Sequence, residues 1–233
     1  MDNYNILTKK NNINKKIGIL NVKINYQNNE IINLYFNTYK DICIPLWLTA
    51  ERLEFLSKII KLYQRDIVIC TYPKSGTTFL EQILLLLING IEKKNFLNPE
   101  IRNSYNINNK FGKIWIESLI KFSKEEENIY NNEYIPDGDF LPYEYFLFEI
   151  ERPALIKTHA SLQLILDKNC LNRNKIIIIS RNPLDTCVSH YYHLGPTLET
   201  KFNFKLNFKI WSLLWLKGLV PYGNWFDWTK KMV

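Results

Sequence analysis

The chemistry in this chain is concentrated at a few polar residues that directly follow apolar runs. Tyr72-Pro73-Lys74-Ser75-Gly76-Thr77-Thr78 places a cation, a glycine and three hydroxyls just before a strongly apolar segment. Backbone amides at a helix start bind phosphate through hydrogen bonds and the helix dipole. Gly76 allows the main chain to approach an anion closely, Ser75, Thr77 and Thr78 add donors, and Lys74 adds charge. The plainer alternative is a Thr-capped helix after a strand, with Lys74 merely solvated. Two further polar residues, His159 and Arg181, stand at the ends of short apolar runs.

The loop differs from that of a nucleotide triphosphatase. Such a loop needs Lys after its second glycine and a following hydroxyl for Mg²⁺. Here Lys74 precedes the glycine, and no Asp-terminated strand suited to holding a metal is evident. The order suits a phosphate bound without Mg²⁺. A nucleotide triphosphatase or kinase is retained as the competing enzyme class on the strand–loop–helix alone.

Elements must place these residues. Ile67-Val68-Ile69-Cys70-Thr71 is a continuous β-rich run of the type buried on both sheet faces, and a helix is predicted over residues 79–89 with Gly90 as C-cap. Ala154-Leu155-Ile156-Lys157-Thr158 reads as a short strand ending at His159. Residues 175–180, with four consecutive isoleucines, read as a second strand buried on both faces, ending at Arg181-Asn182-Pro183, with a helix from about Leu184. Strands alternating with helices indicate an α/β fold with a central parallel sheet, where ligands sit beyond the carboxyl ends of the strands. Lys74, His159 and Arg181 are therefore expected to converge on one face. Upstream, Leu20, Val22, Ile24 and Tyr26 alternate with polar residues as in a half-buried strand. A second strand is expected over residues 31–36. Thr49 is a candidate cap for a helix carrying Leu53, Leu56, Ile60 and Tyr63. Phe204, Phe208, Trp211 and Trp215 recur at helical spacing near the end.

Three motifs in this order resemble those of the cytosolic sulfotransferases. The loop 72–78 is similar to the family's 5′-phosphosulfate loop, which implies 3′-phosphoadenosine 5′-phosphosulfate (PAPS) as co-substrate, held by Lys74, Ser75, Gly76, Thr77 and Thr78. Where the family carries a Trp that stacks on adenine, this chain has Phe79, a smaller ring that can still stack. Lys157-Thr158-His159 resembles the strand-terminal motif whose His is the catalytic base, a role suited to a side chain that titrates near neutral pH; Lys157 and Lys74 would assist. The alternative is an ordinary satisfied histidine. Arg181 and Ser189, in Arg181-Asn182-Pro183-Leu184-Asp185-Thr186-Cys187-Val188-Ser189, match the pair that grips the 3′-phosphate, Arg bidentately. The alternative there is a structural Arg181–Asp185 pair. His190 and His193 read as ordinary helix residues.

Lys113-Ile114-Trp115-Ile116-Glu117-Ser118 is similar to the segment lining the family's acceptor pocket, with Trp115 and His159 as acceptor contacts. Tyr222-Gly223-Asn224-Trp225-Phe226 resembles a later helix start. Aromatic core packing is the alternative for both. The resemblance implies a P-loop-NTPase-like three-layer fold, sulfuryl transfer to a small phenol, sterol or alcohol, and no metal, nucleic-acid or membrane partner. Tyr143 and Phe146 are further candidates for an apolar acceptor pocket, and a homodimer is compatible with the sequence. The family continues past Val233, so the C-terminal part of the fold is expected to be missing. A truncated homologue that binds phosphoadenosine nucleotide without catalysis is the alternative function.

Bulk properties agree but do not choose. The 233 residues, 46% of them hydrophobic, suffice for one domain, expected over 17–233 behind a flexible polar tail of residues 1–16. A net charge of +7 and a pI near 9.1 suit an anionic ligand, although Lys accompanies Asn and Ile throughout, as a biased composition alone would produce. Cys43, Cys70, Cys170 and Cys187 form no metal-ligand spacing; three of them lie in or beside apolar runs, as buried free thiols do, which suits a reducing compartment. No signal-peptide core is present, and the run 83–88 is far short of the ~20 residues that span a bilayer, so a cytoplasmic protein is expected.

Overall fold

The computed structural model describes residues 5–12, 17–25, 31–89, 113–120, 141–142, 152–165 and 174–232. Tyr26, Gly90, Tyr143, Phe146 and Cys170 lie outside them. In chain order the elements are β1 (Asn5–Asn12), β2 (Ile17–Asn25), β3 (Ile31–Tyr39), β4 (Ile42–Cys43), α1 (Ala50–Ile59), β5 (Ile67–Thr71) and α2 (Thr77–Asn89). There follow β6 (Lys113–Trp115), a 3-10 turn (Ile116–Ser118), β7 (Leu119–Ile120), β8 (Leu141–Pro142), β9 (Leu155–Thr158) and α3 (Leu162–Ile165). The last are β10 (Lys175–Ile179), α4 (Pro183–Phe202), α5 (Phe208–Leu216) and α6 (Trp225–Met232). The chain divides into two compact units. One holds residues 1–53, 72–74 and 181–233; the other holds 54–71 and 75–180.

In the first unit β1, β2, β3 and β4 form an antiparallel sheet in that order. Val22 and Ile24 are buried while Asn21 and Lys23 are exposed, the alternation a half-covered strand requires. Residues 5–12, expected within a flexible tail, pair with β2 from Asn5↔Asn25 to Asn12↔Gly18. A main-chain ladder orders this strand although residues 7–11, Leu7 included, are exposed. Phe202 of α4 packs edge-on against Tyr35 of β3, with ring centroids 5.1 Å apart. Trp211 of α5 is fully buried and donates its indole N–H to the Cys187 carbonyl at 3.0 Å.

The second unit carries a parallel sheet in the order β10-β5-β9-β6, an α/β arrangement flanked by helices. Register runs Ile179↔Thr71 and Cys70↔Thr158, with Trp115↔Lys157 on the far side of β9, so the strands' carboxyl ends share one edge. Helix α2 covers one face, burying Leu84 and Leu85 against Ile69 and Leu155. At the opposite, amino edge Asp66 is fully buried and ties its own turn, 63–66, to the segment 152–154. It accepts from Tyr63 N and Ala154 N, each at 2.9 Å, and from the Arg152 guanidinium. Strand β10 departs from expectation. It is not buried on both faces: Ile178 is 40% exposed and its neighbours are half-buried. Among the described residues it is an edge strand with a single neighbour, so its apolar run reflects capacity for burial rather than burial achieved. Among the described residues no helix is long and apolar enough to cross a membrane.

Candidate active site

The loop after β5 is built by unusual backbone dihedrals. Lys74 has φ +66° and Gly76 φ +110°, so the chain turns sharply enough to open α2 within three residues. A β-carbon at Gly76 would meet nothing closer than Ile179 Cδ1 at 3.7 Å. The dihedral rather than crowding calls for glycine. The helix starts at Thr77, two residues earlier than expected, with Leu80 N donating to Gly76 O at 3.1 Å. The first amides of such a helix have no intrahelical acceptor. Ser75 is 4% exposed, and its hydroxyl has no hydrogen-bond partner among the described residues. A buried hydroxyl beside open helix amides is a donor set suited to an anionic oxygen. Thr78 is exposed, and the Phe79 ring is 68% exposed, open to stacking.

Beside this loop, β9 ends next to β5. His159 Nδ1 lies 2.8 Å from the Thr71 carbonyl and 3.3 Å from Thr71 Oγ1, which itself lies 2.6 Å from Thr77 Oγ1. A carbonyl only accepts, so Nδ1 carries the proton, and the lone pair of the neutral ring is on Nε2. Lys157 in β9 and His159 just past its end both meet Trp115, which pairs with Lys157. The Lys157 ammonium sits 5.0 Å from the Trp115 ring centroid, and the His159 ring 5.7 Å from it, edge-on. Lys157 also forms a buried ion pair with Glu81 of α2, Nζ to Oε1 3.4 Å.

Arg181 and Ser189 belong to the other unit. Asn182 caps α4, its side chain accepting from Leu184 N at 2.9 Å, and Pro183 opens the helix. Arg181 is exposed immediately before the cap and donates from Nη1 to the Lys74 carbonyl at 3.2 Å. Ser189 is half-buried two turns along α4. Among the described residues no ion pair joins Arg181 to Asp185, the structural alternative weighed above. Also within this unit, the Tyr72 hydroxyl donates to Gly223 O at 2.8 Å, and its ring packs edge-on against His190, Trp215 and Trp228. The segment 222–226 does start a helix: Asn224 Oδ1 accepts from Phe226 N and Asp227 N at the head of α6. The geometry thus joins Thr71, Thr77, Lys157, His159 and Trp115 in one unit and Lys74 with Arg181 in the other.

Two acids were not singled out from the sequence. Glu81 partners Lys157, and Glu117 lies fully buried in the 3-10 turn after β6. Its Oε1 accepts from Thr158 Oγ1 at 3.0 Å, His159 N at 2.8 Å and Ala160 N at 3.0 Å. Burial pushes this carboxyl above the usual carboxylate range, against the opposing pull of the Ala160 and His159 amides. The described cysteines, Cys43, Cys70 and Cys187, are free and buried; burial pushes the Cys43 thiol up to about 12.

Comparison with known proteins adds what geometry leaves open. Luciferin sulfotransferase of Photinus pyralis is 28% identical over 186 residues, covering 77% of this chain and 46% of its own. Sulfotransferase 2A6 of Rattus norvegicus is 29% identical over 194 residues, 82% of this chain and 57% of its own. This chain thus spans about half the length of the curated relatives it matches. A crystal structure of a mouse sulfotransferase complexed with PAP superposes with a TM-score of 0.55 at 25% identity, covering 83% of this chain and 55% of that one. A retinol dehydratase in complex with retinol and PAP, 18% identical, shares the fold with a TM-score of 0.53 over 91% of this chain and 59% of its own. The sulfotransferase domain model matches residues 64–233, which take in the loop after β5, the end of β9 and the start of α4. That match, over most of the chain and through each of these segments, makes the protein a member of the sulfotransferase domain family.

Proposed function

We propose that the protein transfers a sulfuryl group from PAPS to a hydroxyl or amine of a small acceptor, with His159 as base. The observation that carries this reading is the His159 ring. Its Nδ1 is committed to the Thr71 carbonyl at 2.8 Å, which leaves the Nε2 lone pair to take a proton. In this reading Nε2 removes the acceptor's proton as that oxygen or nitrogen bonds to sulfur. The bond from sulfur to the 5′-phosphate oxygen breaks in line, and the electron pair leaves with 3′-phosphoadenosine 5′-phosphate (PAP). Lys74 and Lys157 offset charge growing on the leaving phosphate.

The residues suit the co-substrate. The Ser75 hydroxyl, buried and without a partner among the described residues, meets the need of a bound phosphate oxygen, with Gly76, Thr77 and Thr78 around the same helix start. Phe79 would stack on adenine, and Arg181 and Ser189 would take the 3′-phosphate. Trp115 and His159 would contact the acceptor. The relative named for luciferin motivates phenolic acceptors first, with sterols and alcohols next. No metal is assigned a role, because the lysines, Arg181 and the helix amides already supply positive charge, and a cytoplasmic setting is proposed with it. A second reading is nucleotide binding without catalysis, which the donor set around the buried Ser75 hydroxyl would support by itself.

A thermal melt of the purified chain with PAP, against ATP–Mg²⁺ as control, tests the donor site. Ligand at 100 times its Kd adds ~2.7 kcal/mol, expected with PAP alone. Labelled sulfate transfer from PAPS to phenols, sterols and alcohols then separates the readings. A PAP shift with no product from any acceptor would support the binding-only reading. A melt unmoved by PAP would overturn both.

A further inference from the structure

Resting on the assignment of His159 as base, we propose that Glu117 is a positioning residue for it, holding the main chain of the turn 158–160 so that the imidazole stays fixed against Thr71. The observation is convergence. One carboxylate oxygen takes the Thr158 hydroxyl, the His159 amide and the Ala160 amide, all within 3.0 Å. His159 is thereby held at two points, its backbone N–H on Glu117 and its ring Nδ1 on the Thr71 carbonyl at 2.8 Å. With both ends tied, the ring has little freedom to rotate, and the tautomer that presents Nε2 as acceptor is retained.

Local structure explains how Glu117 arrives there. Strand β6 pairs with β9 up to Trp115↔Lys157. The 3-10 turn then bends the chain across the end of β9 and brings Glu117 to residues 41, 42 and 43 positions later. A neutral side chain could satisfy one or two of these donors without the cost of burying a carboxylate. A carboxylate oxygen accepts all three and strengthens each bond. The precision matters because displacement of a reacting group by about 1 Å costs on the order of 10²-fold in rate.

The test combines Glu117→Gln, Glu117→Leu, His159→Ala and the double variant Glu117→Gln/His159→Ala. Each is assayed for PAP-induced melting shift and for steady-state transfer from PAPS to p-nitrophenol or the best acceptor of the screen, and the variants that retain His159 also for its imidazole tautomer by NMR on isotope-labelled histidine. Glu117→Gln is expected to keep the PAP shift and the KM for PAPS while kcat falls on the order of tenfold. Glu117→Leu should fall about 10²-fold; if it does not fold, the isosteric variant carries the test. In the His159→Ala background, Glu117→Gln should change the rate by less than about twofold, because the residue acts through the ring. The His159 signal should move from a single Nδ1–H tautomer to a mixture in Glu117→Gln. An equal rate loss with and without His159, or an unchanged tautomer, would overturn the proposal. Wild-type turnover by His159→Ala would instead overturn the base assignment, and the tautomer alone would then decide the role of Glu117.

Discussion

In the proposed mechanism His159 and Lys74 serve different steps, and their removal should separate chemistry from binding. His159→Ala is expected to cut turnover by about 10²–10⁴-fold while PAP still stabilises the chain. Lys74→Ala should weaken PAP binding and slow transfer by about 10²-fold or more. Calorimetric titration with PAP beside steady-state kinetics reads both. Glu117 makes a different prediction, in stability. Its carboxyl is raised in the folded state, so folding favours the protonated form. That contribution is fully present below the unfolded carboxyl pKa and is lost as pH rises through the folded value. Glu117→Gln, which does not titrate, should therefore show a flatter dependence of melting temperature on pH from mildly acidic pH upward. Melts across that range check it. The acids were the least legible side chains in the sequence. Lys74, His159 and Arg181 each follow an apolar run and declare themselves locally. Glu117 is defined by donors more than forty residues away, and Glu81 by a lysine on another strand.

At the scale of elements, the loop after β5 and the start of α4 rest on local chemistry that substitutions can probe. Gly76→Ala would force a β-carbon into φ +110°, a region that L residues rarely adopt. It should destabilise the chain by about 1–2 kcal/mol and remove the PAP shift. Asn182→Ala removes the side-chain acceptor for Leu184 N and should cost about 1 kcal/mol, with the helix itself persisting. Urea titrations followed by circular dichroism distinguish the two. Elements with a continuous apolar run were legible: β5, β9 and α2 lie within a residue or two of where composition put them. The strand β1 was not, because Asn5–Asn12 is mostly polar and is ordered by main-chain pairing with β2, which no side-chain pattern announces. The helix run near the end was legible only in part: Trp211 and Trp215 lie in α5, whereas Phe204 precedes it.

For the whole molecule, composition bounded the answer without selecting it. A charge of +7 suits a nucleotide bearing phosphates as well as it suits nucleic acid, and only the three motifs in order carry the proposal of the former. The division into two units was not legible. Each unit is assembled from separate stretches of chain, the first from three and the second from two, and hydropathy along the sequence carries no mark of such interleaving. The exposed flank of β10 has a consequence for the protein in solution. Paired among the described residues on one side only, with Ile178 40% exposed, it offers a row of main-chain donors and acceptors beside branched apolar side chains, a template for edge-to-edge stacking. Concentrated samples should therefore cloud on standing at temperatures well below the melt. Ile178→Lys, a gatekeeper charge on that flank, should lower static light scattering several-fold while leaving the PAP shift in place.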